Sequence, residues 1–139
     1  MTRLPAQGDV REAARNDQAA QIYVIFPRWP HTQASSDVVG YVWDSQAPAG
    51  TQTAFAKHPN VRVIVLQSGT ALTETWLREQ RNVARDYVAL FGRQPPRVGA
   101  IAIMIDSDDT RGEAEAYFGD LTFSRAPVAG VENATSMLR

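Results

Sequence analysis

Short runs of apolar and β-branched residues recur along the chain, each closed by Pro, Gly or polar residues. β-Branched and aromatic residues favour extended backbone, and Pro ends a strand because it lacks the N–H donor. The pattern predicts five strands, over residues 21–26, 38–43, 61–66, 98–105 and 115–123. Residues 98–105 are apolar throughout, which predicts a fully buried strand.

One segment of the chain carries a helical pattern. Trp76, Val83, Tyr87 and Leu90 fall on one face at helical spacing, and Gly92 follows them as a typical helix stop. Asn is a residue type that caps the N-termini of helices. Since Asn82 stands just before the densest part of the pattern, we predict a short helix over residues 82–91.

The predicted elements follow in the order strand, strand, strand, helix, strand, strand, which fits two architectures. One is a β-sandwich, and the other is an α/β layer in which residues 61–66 and 98–105 run parallel around the helix. We expect the sandwich because most of the strands are not separated by helices. The expected domain covers residues 20–125, after a lead-in segment over residues 1–19 and before a loose tail over residues 126–139.

Composition excludes several classes of function. The chain has 139 residues, 15 acidic against 14 basic side chains and no cysteine. That length fits a single domain, and a net charge of −1 gives no basic field for nucleic acid. The absence of cysteine excludes disulfides, zinc thiolates and cysteine nucleophiles. Residues 1–7 show no signal peptide, and no apolar run approaches the roughly 20 residues of a membrane-spanning helix.

The most polar turn of the chain follows the fourth predicted strand and carries Asp106, Asp108 and Asp109. Its Asp-x-Asp-x-Thr pattern also opens phosphatases of the haloacid dehalogenase type, but these need a downstream lysine, and the single lysine, Lys57, lies upstream. An EF-hand is excluded because Arg111 replaces the required Gly. We expect a turn in which Asp side chains accept neighbouring N–H groups, with a looser calcium site as the alternative.

Two carboxylates at a suitable separation hydrolyse glycosides. The candidate pairs are Glu79 with Asp86 and Asp44 with Asp106. Because several arginines surround the first pair, we expect its members to form solvated salt bridges. No nucleophile motif or phosphate-binding glycine loop is present, so no catalytic residue is predicted.

Three tryptophans are candidates for contact with sugar rings, which stack on exposed aromatic faces. Trp76 lies on the apolar face of the helical pattern and is predicted to be a core residue. Trp43 precedes Asp44 at a strand end, and Trp29 stands between two loop prolines. Trp43 and Trp29 are therefore the candidates for a platform, with core or rim packing as the competing interpretation.

A longer set of blocks recurs in a fixed order: residues 22–26, 41–44, 76–79, 81–83, 86–87, 91–92, 95–96, 101–106, 108–110 and 116–120. In these blocks the chain resembles the bacterial domain-of-unknown-function family numbered three thousand and forty-seven, over about residues 10–124 and the C-terminal two-thirds of the family's domain. The resemblance implies a mainly β fold, a β-sandwich of jelly-roll type similar to carbohydrate-binding modules, and a periplasmic or secreted location. It also leaves a truncated domain start as an alternative. Gln18 and Gln21 depart from the family pattern, which has an acidic residue and an arginine there.

These observations predict a non-catalytic binding module whose partner is a carbohydrate or another small polar ligand. The predicted ligand-binding residues are Trp43, Asp44, Asp106, Asp108 and Asp109. No cofactor is expected apart from the calcium alternative, and the oligomeric state stays open. A hydrolase that uses a carboxylate pair and a purely structural domain are the other hypotheses, and only the hydrolase would show turnover that is lost in Asp106→Asn or Glu79→Gln.

Overall fold

The computed structural model describes residues 3–30 and 35–125. Among these residues are five strands: β1 (Ala20–Phe26), β2 (Asp37–Asp44), β3 (Gln52–Ala54), β4 (Val61–Ser68) and β5 (Ala100–Met104). Helix α1 (Val83–Phe91) lies between β4 and β5 in the sequence. The tail predicted over residues 126–139 lies outside the described residues.

The five strands form one mixed sheet in the order β3-β4-β2-β1-β5. Strand β1 pairs antiparallel with both of its neighbours, so that Ile22 faces Tyr41 in β2 and Ile103 in β5. Strands β2 and β4 pair in parallel, and β3 pairs antiparallel with β4. Because β2 and β5 both run against β1, both of them end beside the point where β1 begins.

Strand β2 lies close to both of its neighbouring strands at Gly40. A Cβ atom at this position would lie 2.6 Å from Cγ1 of Val63 and 2.8 Å from Cε1 of Tyr23. A larger residue would therefore push β1 or β4 away from β2. The glycine lets Tyr23 and Val63 approach each other across the strand between them.

Helix α1 has the ends that the sequence predicts. The side chain of Asn82 accepts a hydrogen bond from the N–H of Arg85 at 3.0 Å, and Gly92 ends the helix in the left-handed region with φ 68°. The predicted helix is thus confirmed. Its buried face packs on one face of the sheet in a core formed by Val24, Phe26, Val39, Tyr41, Ile64, Tyr87 and Leu90.

The opposite face of the sheet is covered by residues from the lead-in segment and from the loop after β2. Val10 and Ala47 are buried there and form a second core cluster with the inward side chains of β2 and β4, Val42, Val63 and Val65. Asp9, Asp17 and Gln18 are also almost fully buried. The lead-in segment is therefore part of the packed structure over its described residues.

Strands β1, β2 and β4 confirm the first three predictions, whereas two others need correction. Residues 115–123 do not form a strand in the structure, and only Glu115 makes an isolated bridge, to Arg3. Between the second and third predicted strands the structure adds the short β3, which the sequence pattern does not predict. Strand β5 is present but is not fully buried: it lies at the edge of the sheet with Ile103 53% exposed. A continuous apolar run cannot distinguish an edge strand from a central one.

The tryptophans also differ from their predicted environments. Trp76 is 72% exposed, so its assignment to the core is wrong. The helix begins only at Val83, and Trp76 therefore lies outside the element whose apolar face it was assigned to. Trp43 is 8% exposed and its indole N–H donates to the carbonyl of Gly69 at 2.9 Å. Trp29 is 86% exposed in its loop.

Over residues 3–30 and 35–125 the structure is mainly β, with a five-stranded mixed sheet and one face covered by a short helix. A jelly-roll sandwich needs a second sheet and antiparallel pairing, whereas the described residues form one sheet that includes the parallel pair of β2 and β4. In the α/β alternative, residues 61–66 and 98–105 run parallel around the helix, and α1 does connect β4 to β5 in the structure. They do run in the same direction, but β2 and β1 lie between them.

The two tryptophans give a direct test of this fold. We expect Trp43→Ala to lower the free energy of unfolding by about 3–5 kcal/mol because it empties a buried site. The matched change Trp76→Ala removes an exposed ring, and we expect it to change the free energy by less than about 0.5 kcal/mol. Urea unfolding followed by circular dichroism measures both values. Equal losses in the two variants would contradict the placement of these side chains.

Candidate functional site

Polar residues collect where β1 begins, beside the ends of β2 and β5. We use the name acidic corner for Asp17, Asp106, Asp108, Asp109 and Thr110. Asp17 comes from the segment before β1, and the others come from the turn after β5. The antiparallel pairing of β1 with β5 brings these two segments together.

Asp17 fixes the acidic turn in place. Its side chain is 0% exposed, and its two carboxylate oxygens accept hydrogen bonds from the backbone N–H groups of Asp109 at 3.2 Å and of Thr110 at 2.6 Å. The partners are more than 90 residues apart in the sequence. A buried carboxylate must be hydrogen-bonded to be tolerated, and here the donors are the backbone of the turn itself.

Three carboxylates of the corner approach one another closely. One oxygen each from Asp17, Asp106 and Asp108 lie within 4.8 Å of one another. Asp17 is buried, Asp106 is partly buried and Asp108 is exposed, so the group opens from the interior towards solvent. A cation that contacted all three carboxylates would do so by oxygen atoms, which are the ligands that Ca²⁺ prefers.

Asp106 shows the electrostatic consequence of this arrangement. Burial raises the pKa of its carboxyl above the ordinary value of 3.8, and the negative charges of Asp108 and Asp17 raise it further. The N–H of Asp108 donates to Asp106 at 3.3 Å and opposes the shift. This bond confirms the predicted turn, in which an Asp side chain accepts a neighbouring N–H group.

Two more oxygen atoms near the corner are buried. Within the described residues, Oγ1 of Thr110 and Oε1 of Gln18 have no hydrogen-bond partner. The main chain of Gln18 joins the corner, because its carbonyl accepts the N–H of Asp106 at 3.1 Å. Unpaired buried oxygens are unfavourable unless water or another group supplies a partner.

Asp44, at the end of β2, lies behind the corner. It is fully buried, and its oxygens accept the backbone N–H groups of Val10, Gln46 and Ala47 at 2.6–2.8 Å. Burial raises the pKa of Asp44, and these three donors oppose the shift. Gln18 connects Asp44 with the corner, since its side-chain amide lies 3.4 Å from Oδ2 of Asp44. Asp44 thus holds the loop after β2 against the lead-in segment.

A cleft of about 70 Å³ lies next to the corner. Asp109 and Asn16 contribute to one part of its wall, and the ring of Phe55 contributes apolar surface. Its basic lining residues are Arg11, Lys57 and His58. The guanidinium of Arg11 is already bound to Asp9 at 2.6 and 2.8 Å, and this contact lowers the pKa of Asp9.

The other candidate carboxylates have structural partners. Asp86 is buried and binds Arg81 through two contacts of 2.8 and 3.0 Å, and it also accepts the hydroxyl of Tyr41 at 2.7 Å. Burial and the hydrogen bond to Asp86 raise the pKa of Tyr41. Glu79 instead accepts from the amide of Gln67 at 2.6 Å. A salt bridge is thus present at this pair, between Arg81 and Asp86. It is largely buried at Asp86, whereas the sequence predicts a solvated one.

The structure divides the predicted site residues into two groups. Asp106, Asp108 and Asp109 lie together in the corner, with Asp109 also on the wall of the cleft. Trp43 and Asp44 lie in the interior at the end of β2, and they offer little or no surface to a ligand. The sequence pattern does not predict Asp17 as a site residue, because Asp17 stands in an unpatterned polar segment. Its position just before the first strand was the only available signal.

Comparison with known proteins places the chain in a family. The family model described as a protein of unknown function, DUF3047, matches residues 1–122. The chain belongs to the DUF3047 family. No curated protein and no solved structure matches this DUF3047 chain. Among its described residues, none of the helices has the length and apolar character needed to cross a bilayer.

The raised pKa of Asp106 leads to a test by pH. A pKa that is higher in the folded state than in the unfolded state gives stability below the unfolded value, and this stability is lost as the pH rises through the folded pKa. In this DUF3047 chain we therefore expect Asp106→Asn to melt at a higher temperature than the parent at pH 7 in the presence of chelator. The gain has to shrink as the pH falls below about 4, where the parent carboxyl is protonated in both states.

Thermal melts of both chains from pH 3 to pH 8 measure this difference. Asp120→Asn is the matched control, because Asp120 is exposed and lies outside the corner. A variant that is less stable than the parent at pH 7 would show that the carboxylate of Asp106 stabilises the fold.

Proposed function

We propose that this DUF3047 chain is a non-catalytic binding module that takes a hydroxyl-rich ligand, a carbohydrate, at the acidic corner and the adjoining cleft. The observation that carries the proposal is the position of Asp109, which belongs to the corner that Asp17 holds and also lines the cleft. A ligand in the cleft would therefore reach carboxylate, amide and basic groups beside an aromatic ring. Few convergent polar groups beside apolar surface are typical of small-molecule sites. Because the cleft has a volume of about 70 Å³, it would hold only part of a sugar, and the rest of the ligand would lie on the surface of the corner.

Calcium completes the site in this proposal. Ca²⁺ binds oxygen atoms at about 2.3–2.6 Å, so oxygens that share one ion lie within about 5 Å of one another. The carboxylates of Asp17, Asp106 and Asp108 satisfy this limit. The buried hydroxyl of Thr110 is a further oxygen of the corner, and it has no hydrogen-bond partner among the residues that the structure describes. A bound cation would also offset the burial and the repulsion from Asp108 and Asp17 that raise the pKa of Asp106.

Two of the four carboxylates in the hydrolase alternatives are bound to other groups of the protein on both oxygens. Both oxygens of Asp44 accept backbone N–H groups, and both oxygens of Asp86 bind Arg81. A general acid or base has to reach the substrate, and Asp44 is fully buried. This supports a binding role over the alternative of hydrolysis by Asp44 with Asp106 or by Glu79 with Asp86.

The proposal also includes a location and an architecture. A calcium site with two or three carboxylates is typical of the weak, extracellular class, with dissociation constants of about 10⁻⁴–10⁻³ M. This agrees with the periplasmic or secreted location expected from the family resemblance.

The jelly-roll architecture implied by the same resemblance would require a second sheet. The exposed apolar surface at Ile101 and Ile103 is where such a sheet would pack.

Thermal melts test the calcium part of the proposal. A ligand that binds only the folded state raises the melting temperature by mass action. We expect millimolar CaCl₂ to raise the melting temperature of the parent by several degrees relative to chelator, and Asp108→Ala to lose this response. Asp120→Ala, which removes an exposed carboxylate elsewhere, should keep it.

The same assay tests the carbohydrate part with a panel of neutral and uronic-acid oligosaccharides in CaCl₂. We expect at least one sugar to raise the melting temperature further. We expect Asp109→Ala and Lys57→Ala to weaken the apparent affinity for that sugar at least tenfold, as measured by the dependence of the melting temperature on sugar concentration. A parent chain that melts at the same temperature with every sugar, with or without CaCl₂, would contradict the binding module. Hydrolysis of a sugar that Asp106→Asn abolishes would contradict the non-catalytic role.

A further inference from the structure

Strand β5 ends the sheet, and in the part of the chain that the structure describes no strand pairs with its outer edge. The opposite end of the sheet is formed by β3, which has only 3 residues. Strand β5 is longer, consists of apolar residues and is flanked by further apolar residues on both sides. An exposed apolar edge strand is a template for pairing with another chain unless something covers it.

The side chains of β5 increase this exposed apolar surface. Ile101 faces Val24, and Ile103 faces Ile22, so both isoleucines lie on the face of the sheet that α1 covers further along. Helix α1 buries Val24, yet Ile101 and Ile103 are 36% and 53% exposed. Ile105 follows them at 49% exposure. The apolar face therefore continues beyond the helix to the edge of the sheet.

We infer that a second copy of this chain pairs antiparallel with the outer edge of β5 about a two-fold axis. The charges at the two ends of the strand favour this occupant. Arg97 precedes β5, and Asp106 and Asp108 follow it. In an antiparallel pair the start of one strand lies beside the end of the other, so each Arg97 comes beside the acidic turn of the other copy. Parallel pairing would instead bring like charges together.

The register that centres the pair on Ala102 also matches the apolar side chains. When Ala102 faces Ala102 of the second copy, Ile101 faces Ile103, and residue 97 faces residue 107 between the two aspartates. Two-fold symmetry keeps the isoleucines of both copies on one face of the joined sheet. Cross-strand pairs of β-branched side chains stabilise such a contact. The proposed interface is therefore self-complementary in the charges at the strand ends and in its apolar side chains.

Sedimentation equilibrium of the full chain tests this proposal. We expect a monomer–dimer equilibrium in the micromolar range, and we expect Ile103→Lys to weaken the dimer at least tenfold. Val88→Lys is the matched control, because Val88 is 38% exposed on α1, and the strand that this helix mainly contacts is β2. Arg97→Glu should weaken the dimer, and combination with Asp108→Arg should restore it. Circular dichroism confirms that each variant is folded.

A cross-link provides a second readout that does not depend on a destabilised variant. The chain has no cysteine, so Ala102→Cys introduces a single thiol on the proposed axis. Facing Cβ atoms in an antiparallel pair lie about 4.5–5.5 Å apart, and the short end of this range meets the roughly 4.5 Å that a disulfide can span between its Cβ atoms. We expect oxidation to link Ala102→Cys into dimers, with Val88→Cys remaining unlinked.

Three results would overturn the inference. A parent chain that is monomeric up to about millimolar concentration would do so, as would a dimer that both Ile103→Lys and Arg97→Glu leave unchanged. Equal cross-linking of Ala102→Cys and Val88→Cys would also do so, because it would show collision without a defined interface.

Discussion

Strand β1 hydrogen-bonds to β2 on one side and to β5 on the other, and both neighbours run against it. This double antiparallel pairing determines which distant segments meet. It places the residues before β1, including Asp17 and Gln18, beside the end of β2 at Asp44 and beside the end of β5 at Asp106. The long-range contacts of the candidate site, from Asp17 to the turn at Asp109 and Thr110 and from Gln18 to Asp44 and Asp106, follow from that arrangement. The site is therefore assembled by the backbone pairing of the sheet.

In the acidic corner, hydrogen bonds hold the backbone of the turn in place, but they also bring negatively charged side chains close together. Asp17 uses both of its oxygens to hold the backbone of the acidic turn. The same contact brings its negative charge close to Asp106 and Asp108, and burial raises the pKa of Asp106 together with these charges. Because the pKa of Asp106 is raised, the corner without a cation loses stability as this carboxyl ionises. A bound cation, or a hydrogen-bond donor of a ligand, would offset this loss of stability. The adjoining cleft would give such a ligand further contacts.

Local features of this chain were predictable from its sequence, and long-range features were not. Asn82 and Gly92 mark the ends of α1 by the chemistry of capping, which depends only on neighbouring residues. The apolar runs of β1, β2 and β4 likewise indicate strands. The exposure of β5 depends on its position at the edge of the sheet, and the pattern of apolar residues along the chain does not show which strand lies at the edge. For the same reason the sequence indicates the aspartates of the turn but not their partner Asp17, which joins them only through the pairing of β1 with β5.

The most direct measurement is a titration of the ¹⁵N-labelled chain with CaCl₂, followed by amide chemical shifts. The proposed site predicts saturable shifts at millimolar CaCl₂ that are concentrated at residues 17–18 and 106–110. Amides near other exposed carboxylates, such as Asp120, should change little. No shift in residues 106–110, or weak unsaturable shifts spread over all acidic residues, would contradict the acidic corner as the binding site of this protein.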